Sequence, residues 1–423
     1  MDHITLLVGV VIVTALVFDF TNGFHDTANA MATTISTGAM KPRAAVAMAA
    51  VLNLAGAFLS VQVAKTISGG IIDEKAGVHP EVIFAGLIGA IVWNLVTWLA
   101  GLPSSSSHAL FGGLIGATLA SVGVHGVHAD AIVMKVLIPA VASPLIAGIA
   151  SALATRATYR IGRGADPAAT AKGYRAGQIA SAGLVSLAHG TSDGQKTMGV
   201  ITLALVTGGL VAPHADPPLW VIVAAGAAMA LGTYVGGWRI IRTLGKGLTD
   251  IQPQQGFAAQ TGAATVILAS SHLGFALSTT HVCSGAVLGA GVGRKGAVVR
   301  WGTAGRMAAS WVITLPAAGL VASGAALLSE QGTWGVIVVG AIGLAVGLAA
   351  WLVSQRKPVD HTNVNDVAPV AEPAAEAAEE GFDPFAPAVA PVAPLTAVLP
   401  APAASVPPVV PAAPAAAQKE ALL

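Results

Sequence analysis

Two short polar stretches, each present twice, carry most of the reactive groups in an otherwise apolar chain. Asn22-Gly23-Phe24-His25-Asp26-Thr27-Ala28-Asn29-Ala30-Met31 returns as His189-Gly190-Thr191-Ser192-Asp193-Gly194-Gln195-Lys196-Thr197-Met198, with Gly, Asp and Met in register. Gly101-Leu102-Pro103-Ser104-Ser105-Ser106-Ser107-His108 returns as Gly274-Phe275-Ala276-Leu277-Ser278-Thr279-Thr280-His281. Both copies then keep glycine four and eight residues after the histidine, at Gly112 and Gly116 and at Gly285 and Gly289. Asp26 and Asn29, three apart, share a face of a helix. A carboxylate suits a hard cation such as sodium, or a proton. The N–H groups freed where a helix is interrupted suit an oxyanion. Asn22-Gly23 and the region of His189 read as such interruptions, which are tolerated at membrane depth only where they line an enclosed or wet cavity.

The hydroxyl runs Ser104–Ser107 and Ser278–Thr280 stand directly before apolar, helix-like stretches. Hydroxyls there cap free N–H groups, or join those N–H groups in an uncharged cage for a phosphate-like oxyanion. Neither run contains an arginine, which favours release over tight capture. Lys196 has three readings: an ion pair with Asp193, contact with the anion, or snorkelling to the interface. His25, His108, His189 and His281 are either interhelical hydrogen-bond partners or proton and phosphate contacts, since a neutral-range pKa permits proton coupling. His79, His125, His128 and His214 fall in loops and read as solvated.

The elements that position these groups must lie in lipid. The chain is 54% hydrophobic and 10% charged, with a mean hydropathy of +0.74; a soluble domain carries about 25% charged residues, so this one cannot cover a water-facing surface. Ionisable groups at membrane depth are costly and mark function by default. Fifty glycines suit close helix–helix approach. The long continuous apolar runs disfavour a β-barrel. No basic stripe with interleaved aromatics points to nucleic acid. Cys283, the single cysteine, excludes an internal disulfide and a cysteine-based metal cage, and reads as a small residue in a tight helix. Ile4–Phe20 lacks a basic n-region and a cleavage site, so it reads as a retained span.

With about 20 apolar residues per crossing, candidate spans fall at 4–38, 44–67, 82–101, 108–123, 130–154, 176–212, 218–236, 256–275, 281–293, 301–325 and 332–354. Basic groups at Lys41 and Arg43, at Arg156 to Arg175, at Arg239 to Lys246, at Arg294 to Arg306 and at Arg356-Lys357 are all cytoplasmic by the positive-inside rule. That assignment puts the N-terminus outside and the C-terminal tail inside, with five crossings per half. The fold class expected is an all-α polytopic membrane protein of two inverted-topology repeats, about 10–12 helices with broken or re-entrant segments, and a site at the repeat interface. The parts are a first repeat (1–155), a basic cytoplasmic linker (156–175), a second repeat (176–325), an extra helix (326–357) and a Pro/Ala-rich acidic tail (358–423) expected to be disordered.

In these four motifs, over about residues 10–325, the chain resembles the inorganic phosphate transporter family of the PiT or Pho4 type, and its Phe24-His25 pair resembles the bacterial low-affinity branch. The resemblance implies phosphate as substrate, no enzymatic activity, no cofactor or resident metal, and a cation-coupled mechanism in the inner (plasma) membrane. The coupling ion is a proton or sodium. The first motif leans towards protons, with phosphate carried bare or as a metal complex. It implies phosphate contacts at Asn29, Ser104, Ser105, Ser106, Ser107, Ser278, Thr279 and Thr280; Asn22, His25, His108, His189, Gln195, Lys196 and His281 join them as candidate contacts by their place in the motifs. Asp26, Asp193 and Asn29 carry over as coupling-ion ligands. Asn53 and Gln260 fall where many eukaryotic members carry glutamates, and join that set as neutral amides. Ser192 stands for the family's usual asparagine and Ala276 for its usual proline. Partners are phosphate and the bilayer, and a homo-oligomer is compatible with this reading. Sulfate symport, an intramembrane hydrolase using Ser106 or Ser107 with His108, and a passive channel are the competing readings. Against the hydrolase, sequence-adjacent Ser and His rarely align and no third orienting group stands beside them.

Overall fold

A computed structural model describes residues 2–73 and 76–366, and among these residues the regular structure is helical. The first half comprises α1 (Asp2–Ser36), α2 (Pro42–Gly56), α3 (Gln62–Gly70), α4 (Pro80–Leu99), α5 (Ser106–Ser121), α6 (Ala129–Ile132) and α7 (Ile138–Ile161). A π-helical turn, Val133–Leu137, joins α6 to α7 in one span. The second half comprises α8 (Pro167–Thr207), α9 (Leu219–Val235), α10 (Trp238–Lys246), α11 (Pro253–His272), α12 (Thr279–Gly293) and α13 (Trp301–Ser329), and α14 (Thr333–Gln355) follows. Exposed Val141, Leu145, Ile149, Val312, Leu320 and Leu344 give α7, α13 and α14 outer faces suited to lipid tails.

The two halves repeat each other's packing. Gly112 and Gly116 of α5 meet the main chain of α13 at Leu315 and Gly319; Gly285 and Gly289 of α12 meet that of α7 at Pro144 and Gly148. At each glycine a Cβ would run into a carbonyl oxygen, which is why these positions carry no side chain. Gly101 and Gly274 both take positive φ at the tips of the α4–α5 and α11–α12 hairpins. Each tip carbonyl accepts a threonine hydroxyl from the other half, Thr243 to Gly101 at 2.7 Å and Thr66 to Gly274 at 3.0 Å. Two isolated bridges, Ile72 with Val127 and Thr249 with Val299, complete the correspondence.

The motif-bearing helices run antiparallel. Thr37, just past α1, donates to Gln178 near the start of α8 at 2.8 Å, while Gly208 at the end of α8 lies against Ile4 and Val8.

Several expectations are corrected. Neither α1 nor α8 is interrupted at Asn22 or His189. Gly23 instead lets α1 press against the main chain of α9 at Met229, and Gly190 does the same for α8 at Asn53 of α2. Thr27 and Thr191 return their hydroxyls to the carbonyls four residues back, so the polar side chains stay inside regular helix. The breaks lie in the connections 100–105 and 273–278 before α5 and α12. The span expected at 44–67 is two helices, α2 and α3, and α9 turns into α10 through 68° at Gly236-Gly237. Among the described residues, five helices are long and apolar enough to cross a membrane alone, six with that bent pair. The linker expected at 156–175 is helical except around 162–166. The tail expected from 358 is held through its first residues. Arg242 donates to the Asn363 carbonyl at 2.8 Å, Arg239 to the Lys357 carbonyl at 2.6 Å, and Val364 is buried. The remainder, 367–423, lies outside the described residues.

Candidate functional site

α5 and α12 begin in the protein interior because their capping hydroxyls travel with them. The Ser105 hydroxyl accepts the His108 amide at 3.1 Å, and the Ser278 hydroxyl accepts that of His281 at 3.2 Å. Capping satisfies one N–H at each buried helix start. It also leaves the next two hydroxyls of each run, Ser106-Ser107 and Thr279-Thr280, aimed at the acidic motifs of α1 and α8.

The result is a crossed network. The Ser106 hydroxyl faces Asn22 Oδ1 at 2.6 Å and Asp26 Oδ2 at 2.8 Å, sharing its one proton between them. Its counterpart Thr279 donates to Asp193 Oδ2 at 3.0 Å, and also lies 3.4 Å from Asp26 Oδ2. Asn29 of α1 reaches across to Thr280, its amide donating to the hydroxyl at 3.0 Å. Lys196, which stands where Asn29 does in the other copy, reaches back across to Ser107, and also donates to Asp193 and to the Leu277 carbonyl. His189 lies between the carboxylates, its Nε2 3.2 Å from Asp193 Oδ2 and 3.9 Å from Asp26 Oδ2. Every one of these side chains is buried, so the cluster is shut off from both surfaces of the protein. One ligand atom each from Asp26, His189 and Asp193 fit within 4.8 Å of one another, a spacing that one cation can bridge.

Other expected residues sit further out. His25 Nδ1 pairs with Asp26 Oδ1 at 2.7 Å, while its Nε2 faces Thr97 at 3.2 Å and Ser104 at 3.3 Å. His25 and Ser104 therefore orient Asp26 from behind. Asn53 is tied to Thr233 at 2.8 Å and lies 3.3 Å from His189 Nδ1. Gln195 caps α3, its Oε1 accepting the Val63 amide at 2.7 Å. Gln260 donates to the Ala30 carbonyl and to Thr34, at 2.8 and 2.7 Å, and bonds no carboxylate. The His108 and His281 rings stack on each other, 4.7 Å between centroids, and His281 stacks on Trp311 at 4.2 Å. These rings line an apolar cavity of about 770 Å³ between α7, α12 and α13, and neither hydrogen-bonds a group of the cluster. His108 thus does not stand as a base on Ser107, whose hydroxyl is bound to Lys196.

One residue absent from the sequence reading belongs with the cluster. Asp19 is fully buried on α1, with the side chains of Thr197 and Asn22 beside its carboxyl and no ion-pair partner among the described residues. It lies three and seven residues before Asn22 and Asp26, on the same helix face. An acid inside the run Ile4–Phe20 at that spacing was the available signal.

A family model described as "PHO4: Phosphate transporter family" matches residues 22–322, which spans all four motifs and both halves. The chain belongs to the phosphate transporter family. Among its relatives, a "Probable low-affinity inorganic phosphate transporter" of Mycobacterium bovis is 58% identical over 359 residues, 84% of this chain and 86% of that one. Proteins of the same description from Rhizobium meliloti and Bacillus subtilis are 46% and 43% identical, each match covering 75% of this chain and 95% of theirs. A solved structure titled "The sodium-dependent phosphate transporter" shares the fold, with a TM-score of 0.65 at 22% identity over 77% of this chain and 99% of that chain. Membership makes the protein a membrane transporter rather than an enzyme, and the intramembrane hydrolase reading falls with it.

Proposed function

We propose that this protein is a cation-coupled inorganic phosphate symporter of the inner (plasma) membrane, working by alternating access with a proton as the favoured coupling ion. The observation that carries the reading is the crossed network, in which each half lends hydroxyls to the motif of the other. A site built this way lies at the repeat interface, where secondary transporters bind their substrates. Phosphate would displace the hydrogen bonds among Ser106, Ser107, Thr279, Thr280, Asn22 and Asn29, and take the free amides at the starts of α5 and α12. Asp26 would hold the cation that offsets the phosphate charge, with His189 and Asp193 beside it. The antiparallel course of α1 and α8 supports inverted repeats, with the N-terminus outside and the tail in the cytoplasm by the basic-residue pattern.

Asp19 supports proton coupling. A carboxylate charge buried with no ion-pair partner is costlier than the neutral acid, so this position suits a travelling proton. A second reading rests on the Asp26–His189–Asp193 spacing. Two carboxylates and an imidazole suit a divalent metal, which would enter as cargo in a metal–phosphate complex, and carboxylate oxygens also suit sodium.

Labelled phosphate uptake into proteoliposomes, driven in turn by a pH gradient and a sodium gradient, with and without a divalent cation, separates these cases. Uptake driven by the pH gradient alone is the expected outcome. Sodium-driven uptake at constant pH would replace the proton, and sulfate competing as well as phosphate would overturn the substrate.

A further inference from the structure

Lys196 puts a fixed ammonium in one copy of the site and not in the other. Its partner position in the first half is Asn29, a neutral amide that donates to Thr280. The Lys196 ammonium has three N–H groups, and the structure gives them three oxygens: a carboxylate of Asp193, the hydroxyl of Ser107 and the carbonyl of Leu277 at 3.0 Å. With 2% exposure the side chain does not snorkel. With its donors taken, it has none left for an incoming anion. Leu277 lies in the unwound connection before α12. Carbonyls of such unwound segments, with carboxylates and hydroxyls nearby, are the oxygen set that discontinuous helices offer to a sodium ion.

We infer that Lys196 is a tethered cation filling a site that would otherwise take a mobile monovalent ion, so that this chain couples phosphate to one ion fewer than a site with a neutral residue there. This rests on the symport reading above. Asp193 is neutralised from within the chain, with His189 Nε2 on its other oxygen at 3.2 Å. Asp26, which meets the imidazoles of His25 and His189 but no lysine or arginine, is left for the mobile cation. The second half is thereby closed to sodium whatever its concentration.

The test uses the purified full chain, with 22Na+ binding and a sodium titration of thermal stability read beside labelled phosphate uptake in proteoliposomes. The wild type should bind no sodium at the Asp193 side and show uptake unchanged by sodium at fixed pH. Lys196→Asn should acquire saturable sodium binding and a melting temperature that rises with sodium. Its uptake should fall at least ten-fold without sodium and recover with it. Lys196→Arg, which keeps the charge, should bind no sodium. A Lys196→Asn protein that binds no sodium, or melts equally early with and without it, overturns the inference. So does a wild type whose sodium binding is lost in Asp193→Asn. If wild-type liposomes take up no phosphate, the symport reading fails, and the binding and melting measurements still judge Lys196.

Discussion

Adjacent hydroxyls in one serine run have different work, and single substitutions should separate them. Ser105 caps α5, so Ser105→Ala should cost about 1 kcal/mol of stability, as lost N-caps do, read as a lower melting temperature with a lesser effect on phosphate KM. Ser106 faces Asn22 and Asp26, so Ser106→Ala should raise KM about ten-fold or more with melting little changed. Asp26→Asn and Asp193→Asn should each abolish concentrative uptake; wild-type rates in both would remove the carboxylates from the mechanism. Asp19→Asn should keep phosphate exchange between equal pools while losing accumulation against a gradient driven by pH. The motif residues were legible because duplication made them conspicuous. Asp19 was not, since Ser186 stands at its place in the second copy. The Leu277 carbonyl is a main-chain group and leaves no trace in residue identity.

At the scale of elements, small residues set the distances. Gly285 of α12 sits against the Pro144 main chain of α7, whereas Gly324 of α13 has no neighbour within 4 Å of where a Cβ would stand. Gly285→Leu should therefore destabilise by about 1–3 kcal/mol, the range for overpacking, and Gly324→Ala should be near neutral; melting of the purified variants decides. Sequence reading identified the starts of α5 and α12, because a hydroxyl run ahead of an apolar run is an N-cap signal. It misplaced the breaks in α1 and α8, because a glycine beside polar residues is read equally well as a hinge or as a close approach. Only the neighbouring helix distinguishes the two, and here α9 and α2 fill the space a Cβ would need.

For the whole molecule, hydropathy gave the class, while the number of separate crossings was not recoverable from apolar length. The 16-residue α5 and the 20-residue α4 both read as candidate spans in the sequence, although α5 begins buried inside the protein and only α4 is long and apolar enough to cross a membrane alone. The duplicated tip contacts, Thr243 with Gly101 and Thr66 with Gly274, fasten each hairpin to the opposite half. Removing one hydroxyl should therefore act on one access state. Thr243→Val and Thr66→Val are expected to shift the ratio of influx to efflux in opposite directions, measured in proteoliposomes of known protein orientation.

Cys283 lies inside α12, almost wholly covered by its neighbours. Because it is the chain's sole thiol, any second one engineered onto a rim, loop or hairpin tip would be alone in meeting a water-soluble maleimide. Spin labels and dye pairs could be attached without first stripping native sulfur, so distances between the halves would be measurable in the otherwise unaltered protein.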